Sequence, residues 1–123
     1  ISLEQAEQFK YDLMHTEAAE QKTEVLPQMI RDGLDPIINE VKYMLEVYSN
    51  KENRRVEKIV LTGGGSMLPG LTTYLSDQFN LNTIIGDPWF RISYPFELKP
   101  ILEKIGPRLA VAIGLAMREF DKA

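Results

Sequence analysis

The sequence predicts an α/β fold in which helices come first and a strand–helix–strand unit follows. Apolar residues recur at helical spacing over the first 48 residues. A short apolar run at residues 59–61 then leads into three consecutive glycines, Gly63, Gly64 and Gly65. A continuous apolar strand bounded by a glycine turn is typical of a parallel sheet covered on both faces.

Two helices are predicted before the glycines. The first runs from residue 1 to about residue 22, with an apolar face at Leu3, Ala6, Phe9 and Leu13. Ser2 and Gln5 form a capping-box pattern at its start. The polar residues 15–24 either continue this helix or form a linker. His15, the only histidine, lacks the cysteine or second histidine that a metal site would need, so we expect a solvated helix residue.

The second helix is predicted from residue 26 to residue 48. Its apolar stripe consists of Leu26, Ile30, Leu34, Ile37, Val41, Leu45 and Tyr48. Pro36 removes one backbone hydrogen bond and clashes with the preceding turn, so we expect a kink or a break near residues 32–35. The polar residues 49–55 are predicted to be a loop.

After the glycines the pattern indicates a third helix, marked by Leu68, Leu71, Leu75 and Phe79, and a second strand at residues 82–85. This order implies a right-handed βαβ unit. Residues 87–95 are predicted to form a loop and residues 96–105 a short helix. The last helix is predicted from residue 107 to about residue 120, where small side chains would let it lie close to a sheet.

Composition and charge narrow the class of protein. A chain of 123 residues with 44% hydrophobic residues can form a compact core. The net charge of −4 has the wrong sign for general nucleic-acid binding. The absence of cysteine excludes disulfides and thiol catalysis. The longest apolar run, residues 109–117, is too short to span a bilayer. Because the chain begins with Ile1 and shows no leader pattern, we expect a piece of a longer protein.

The glycine turn is the strongest candidate for a ligand site. Glycines tolerate positive φ and let a flat ligand approach the backbone, and ligands bind at the C-terminal ends of parallel strands. The dinucleotide pattern G-x-G-x-x-G fails at Leu68, and the P-loop pattern fails at Leu71, where a lysine is required. The glycines alone leave two readings of equal weight, a ligand site and a tight turn without a ligand.

A second candidate lies in the first helix, where Glu7 and Lys10 are neighbours on one face. A carboxylate can accept hydrogen bonds from two ribose hydroxyls, and a lysine stem can lie along an adenine ring. The alternative is an exposed ion pair that contributes a few tenths of a kcal/mol. The residues alone favour this alternative.

Four segments carry a resemblance to a known family. They are ISLEQAEQFK at residues 1–10, EVKYML at 40–45, IVLTGGGSMLPGL at 59–71, and PRLAVAIGLAMREF at 107–120. Together they resemble the actin-like ATPase superfamily, whose fold is ribonuclease H-like, and the last segment is typical of the PilM family of type IV pilus assembly proteins. The resemblance implies the C-terminal part of the second actin-like domain. Residues 1–50 would form its helical lobe, and residues 51–123 the C-terminal half of its sheet lobe.

The resemblance also implies a ligand and its site. Gly63, Gly64, Gly65 and Ser66 would lie against the adenine and ribose of ATP, and Glu7 and Lys10 would hold them from the other side. The two phosphate-binding hairpins of the superfamily, and most ligands of the Mg ion, would lie upstream of Ile1. We therefore expect the intact protein to be at most a weak ATPase and this chain alone to be inactive.

Partners and location are implied in the same way. PilM-like proteins bind the cytoplasmic tail of PilN, through a groove that would lie in the absent N-terminal half. They work in twitching motility at the inner face of the cytoplasmic membrane, held there through partners. The alternative is a non-catalytic interaction module of the inner-membrane assembly. In that case Trp89, Phe90 and Tyr94 would offer a contact, although such aromatics more often cover a core. A two-strand sheet with an unpaired edge also predicts self-association.

Overall fold

A computed structural model describes residues 2–15 and 26–120 and divides the chain into two compact units. The first contains residues 1–59 and 68–84, and the second contains residues 60–67 and 85–123. The predicted continuation of the first helix to residue 22, and the side chain of His15, lie outside the described residues. The domain boundary predicted at residue 50 stays a prediction.

Helix α1 spans Leu3–His15. The predicted capping box is present: Ser2 N–H donates to Gln5 Oε1 at 3.0 Å, and Gln5 N–H donates to Ser2 Oγ at 3.2 Å. This reciprocal pair satisfies backbone groups that the helix leaves free, so the helix begins at Leu3. Its predicted apolar face is only partly covered, because Leu13 is half-buried and Leu3 is exposed.

Helix α2 spans Gln28–Glu52 without interruption, so a break before Pro36 is wrong, and a kink there stays a prediction. The hydrogen-bond loss at Pro36 is confined to one turn of a 25-residue helix, and the other turns remain bonded. The predicted loop at residues 49–55 is also partly wrong, because the helix continues to Glu52. It ends at Asn53, which adopts the left-handed conformation with φ 51° that asparagine tolerates at helix ends.

The buried side of α2 differs by one position from the predicted stripe. Ile38 is buried and Ile37 is 58% exposed, and Tyr48 is exposed as well. Leu34, Val41 and Leu45 are half-buried, as the stripe requires. The helix packs against α3 within the first unit, and Ile38 is the buried residue of α2.

Strand β1, Lys58–Leu61, precedes helix α3, Leu71–Phe79, and strand β2, Asn82–Ile85, follows it. The two strands form a parallel sheet. The predicted strand–helix–strand order is confirmed. The prediction that β1 is buried on both faces is wrong, since Lys58 and Val60 are exposed while Ile59 and Leu61 are half-buried. Two strands alone leave one face uncovered, so the burial alternates along β1.

Helix α3 begins at Leu71, three residues later than Leu68, where the sequence placed its start. A 3₁₀ turn occupies Gly64–Met67, and Gly70 has φ 81°, which an α-helix cannot contain. Leu71 and Leu75 are buried on its inner side. At the start of β2, Thr83 is buried and its N–H donates to Ser76 Oγ at 3.0 Å.

In the second unit, helix α4 spans Lys99–Ile105 and helix α5 spans Ala110–Ala116. Both are shorter than predicted, because 3₁₀ turns at Phe96–Leu98 and Gly106–Leu109 take up their first residues. After Ala116 the backbone changes to i→i−3 hydrogen bonds, from Arg118 N–H to the Leu115 carbonyl at 3.3 Å and from Phe120 N–H to the Met117 carbonyl at 3.0 Å, so α5 ends before residue 120. Within the described residues, none of the helices combines the length and the apolar character that a membrane crossing needs.

Candidate functional site

The glycine turn follows β1 and is held by backbone hydrogen bonds within the second unit. Gly63 N–H donates to the Pro107 carbonyl at 2.9 Å, and Ser66 N–H donates back to the Gly63 carbonyl at 3.2 Å. The turn is therefore tied at one end to the 3₁₀ turn Gly106–Leu109 and closed at the other by its own 3₁₀ turn. A ligand at this position would meet a backbone that is already ordered.

The three glycines differ in why a side chain is missing. Gly63 has φ 88°, where an L-residue is strained, so its backbone conformation requires glycine. At Gly64 a Cβ atom would lie 3.4 Å from Arg108 Cγ, in close contact. At Gly65 a Cβ atom would have no neighbour within 4 Å, and the residue is exposed. Gly65 therefore leaves open the space into which a flat ligand could move.

Ser66 is buried, and its hydroxyl donates to the Gly63 carbonyl at 2.6 Å. This bond commits the hydroxyl proton to the turn itself. Only the oxygen lone pairs of Ser66 remain for a further hydrogen bond. The residue therefore shapes the turn, and its predicted contact with a nucleoside stays a prediction.

Glu7 and Lys10 form the predicted pair on α1, with Glu7 Oε2 2.8 Å from Lys10 Nζ. The side chains are 62% and 39% exposed, so the pair itself adds little to stability. Within residues 2–15 and 26–120 the Glu7 carboxylate makes no other polar contact. Its second oxygen is available to accept a hydrogen bond. The structure thus brings these two residues together on the first unit, and Gly63 to Ser66 together on the second.

Arg108 was not assigned a role from the sequence, although it lies directly beside the turn. Its Nε atom is 3.8 Å from the position of a Cβ on Gly64, and the residue is exposed. Arginine places a fixed positive charge there, which favours an anionic ligand. Its position after Pro107 in the segment PRLAVA is the only sequence signal, and spacing alone could not place it near a turn more than 40 residues earlier.

The aromatic loop separates into a structural part and an exposed part. Trp89 Nε1–H donates to the Leu102 carbonyl at 2.8 Å, and its ring contacts Tyr94 edge to face with centroids 6.4 Å apart. Phe90, in contrast, is 86% exposed. Of the three aromatics, Trp89 and Tyr94 therefore cover the second unit, and Phe90 alone is free to contact another molecule.

A search of the described residues finds no group of three His, Cys, Asp or Glu side chains placed to hold a metal ion. An open glycine backbone can lie against a flat ring, and a carboxylate can accept hydrogen bonds from hydroxyls.

Comparison with known proteins finds similarity to a family model and to solved structures. The family model described as type IV pilus assembly protein PilM matches residues 1–120. A chain in a solved structure titled PilM-PilN type IV pilus biogenesis complex is similar with a TM-score of 0.72 and 29% sequence identity. That match covers 96% of this chain and 32% of the other, so this chain spans about a third of its structural relative. No curated protein matches.

Proposed function

Because the chain belongs to the PilM family of type IV pilus assembly proteins, we propose that it supplies the adenosine side of an ATP site in such a protein. The observation that carries this proposal is the glycine turn, which is fixed by the Gly63–Pro107 hydrogen bond and open at Gly65. A turn needed only for chain reversal has no requirement for a glycine at Gly65, where φ is ordinary and the space is empty.

Each residue of the proposed site has a stated role. Gly63 sets the conformation of the turn, and Gly64 and Gly65 present bare backbone to the adenine and ribose. Ser66 stabilises the turn through the hydrogen bond from its hydroxyl to the Gly63 carbonyl. Glu7 would accept hydrogen bonds from the ribose hydroxyls, and the aliphatic stem of Lys10 would lie along the adenine. These six residues bind and orient the nucleoside, and none of them performs chemistry.

The chemistry of such a site would come from the phosphates and their Mg ion, which neutralises charge on the β- and γ-phosphates when bound. Residues 2–15 and 26–120 contain no β-hairpin that could serve as an actin-like phosphate loop. We therefore propose that the metal ligands are supplied by the parts of the family fold that this chain does not span. The chain alone is then expected to bind ATP weakly and not to hydrolyse it.

We further propose a PilN-type partner and a position at the inner face of the cytoplasmic membrane. The support is the structural relative, whose title names a PilM–PilN complex. Because the chain spans only 32% of that relative, we place the PilN groove outside it. The exposed Phe90 is a separate contact point, and it favours the interaction module as the alternative function.

The test is calorimetric titration of Mg-ATP into this chain and into a version extended at its amino terminus to the length of the solved relative. We expect binding by the extended version and little by the shorter one. Gly65→Ala should lower the affinity of the extended version roughly ten-fold or more, because the methyl group fills the ligand space. Gly33→Ala is the matched control, since Gly33 also has open space around its Cβ position but lies on α2.

Two results would contradict the proposal. One is absence of binding by the extended version, which would leave the interaction module as the better function. The other is an unchanged affinity after Gly65→Ala. Neither glycine variant should melt below the unmodified chain, and Gly33→Ala should melt slightly higher because alanine is the better helix residue. A loss of affinity is then not a loss of fold.

A further inference from the structure

Helix α2 carries more apolar surface than its own unit covers. Besides the buried side at Ile38, an adjacent stripe is exposed, formed by Ile37, Met44, Val47 and Tyr48, with Tyr43 beside it. Residues seven and eleven positions apart lie on the same side of a helix, so Ile37, Met44 and Tyr48 form one line. We call these five residues the outer face of α2. A shallow groove of about 380 Å³ runs along its C-terminal half.

The far side of the helix is of a different kind. Asp35, Asn39, Lys42 and Glu46 are all polar and exposed. The outer face is therefore not part of an all-round apolar helix. It is a strip bounded on one side by polar residues and on the other by the buried side of the helix. A strip of this kind on one helix is typical of a site where a second helix docks.

Two charges lie within the strip. Glu40 and Lys51 are on the same side as Met44, about 16 Å apart along the axis at 1.5 Å per residue. Both are exposed. Among the described residues, neither side chain makes an ion pair or a hydrogen bond. The strip therefore has an acidic residue near one end and a basic residue near the other. When two copies of the strip lie antiparallel, each acidic residue meets a basic one.

We infer that the outer face of α2 binds the outer face of a second copy of this chain, with the two helices antiparallel. We place the two-fold axis at the height midway between Leu45 and Glu46 along the helix. Glu40 then faces Lys51 of the second copy, and Met44 faces Val47 of the second copy. Each pair occurs twice, as two-fold symmetry requires. Parallel pairing would place Glu40 against Glu40 and Lys51 against Lys51, so the charges select the antiparallel arrangement.

The packing geometry is consistent with this pairing. Each charge lies about 8 Å along the helix from the axis, so helices crossing at about 20° keep the opposite charges within side-chain reach. Tyr43 and Tyr48, five positions and therefore about 140° apart around the helix, then lie at opposite borders of the contact. A single helix pair buries less than the roughly 1,200 Å² of a standard interface, so the dimer is weak and depends on concentration.

The test is sedimentation equilibrium of this chain across a wide concentration range. We expect a monomer–dimer equilibrium that Met44→Lys abolishes. Met44 is 62% exposed, so this change leaves the fold intact, as circular dichroism should show. Asn39→Lys adds the same side chain on the polar side and is the matched control, with an unchanged dimer constant expected.

Charge reversal tests the direction of the helices. Glu40→Lys alone and Lys51→Glu alone each create two like-charged pairs and should weaken the dimer roughly ten-fold at low salt. The double variant reverses both charges and should restore it. Since the chain has no cysteine, a mixture of Met44→Cys and Val47→Cys chains can be cross-linked without background, and heterodimers should exceed either homodimer.

The inference is overturned by a chain that stays monomeric at every concentration, or by a dimer that survives Met44→Lys. It is also overturned if the double charge reversal fails to restore the dimer. Self-association that responds to changes on β1 and not on α2 would assign the contact to the sheet edge instead. None of these outcomes bears on nucleotide binding, because the outer face of α2 contains no residue of the proposed adenosine site.

Discussion

Replacing Gly106 by alanine should destabilise the second unit through its contact with Trp89. A Cβ atom at this position would lie 2.8 Å from Trp89 Nε1 and 3.2 Å from both Trp89 Cδ1 and Pro88 Cγ. Gly106 has φ −51° and ψ −57°, so its backbone does not require glycine. The packing alone excludes a side chain, and the indole must move when one is added.

The size of the effect follows from three terms. Overpacking of a tight contact costs about 1–3 kcal/mol. Displacing the indole also weakens its hydrogen bond to the Leu102 carbonyl, a loss of about 0.5–1.5 kcal/mol. Alanine recovers up to about 1 kcal/mol because it is the better helix residue. Together these terms predict that Gly106→Ala lowers the free energy of unfolding by about 0.5–4.5 kcal/mol.

Urea unfolding followed by tryptophan fluorescence measures this directly, because Trp89 is the only tryptophan. Gly114→Ala is the control, since a Cβ there meets nothing within 4 Å and should be neutral or slightly stabilising. In a Trp89→Phe background, followed by circular dichroism, Gly106→Ala should be less damaging because the clash is relieved. Equal stability of Gly106→Ala and the unmodified chain would refute the packing argument.

Four further changes test other features. Gly63→Ala should cost about 1–3 kcal/mol in urea unfolding because of its positive φ, and no loss would show that the turn can relax. Pro36→Ala should raise the melting temperature by restoring a hydrogen bond in α2, and a lower value would contradict this. Glu7→Gln should leave stability within about 0.5 kcal/mol and weaken Mg-ATP binding by the extended version; unchanged affinity would remove Glu7 from the site. Val60→Lys should suppress any assembly beyond the dimer, and larger species that persist would exclude the sheet edge as their cause.

The parts of the fold that local chemistry dictates could be predicted from the sequence. The capping box at Ser2 needs only two side chains three positions apart, and the order of β1, α3 and β2 follows from a change in apolar period. The glycine turn was predicted for the same reason. Its conformation depends on residues that are adjacent in the chain.

Features set by distant packing could not be predicted. Ile37 and Ile38 are both apolar and adjacent, so spacing alone cannot decide which one is buried, and only the tertiary packing does. Likewise, nothing near Gly106 in the sequence indicates that Trp89 fills the space above it. A local penalty at Pro36 does not end a long helix, and the neighbouring residues alone could not show this.

The hydrogen bond from Gly63 to Pro107 joins the glycine turn to a segment more than 40 residues further along the chain. The Gly63 amide proton can exchange with solvent only when this bond opens. Its exchange rate therefore reports the separation of the turn from the Gly106–Leu109 segment, and not the motion of the turn by itself. If the two segments open as one cooperative unit, Gly63 and the amides of α5 will exchange with the same free energy. Unfolding of α5 would then also open the Gly63–Pro107 hydrogen bond and release the glycine turn.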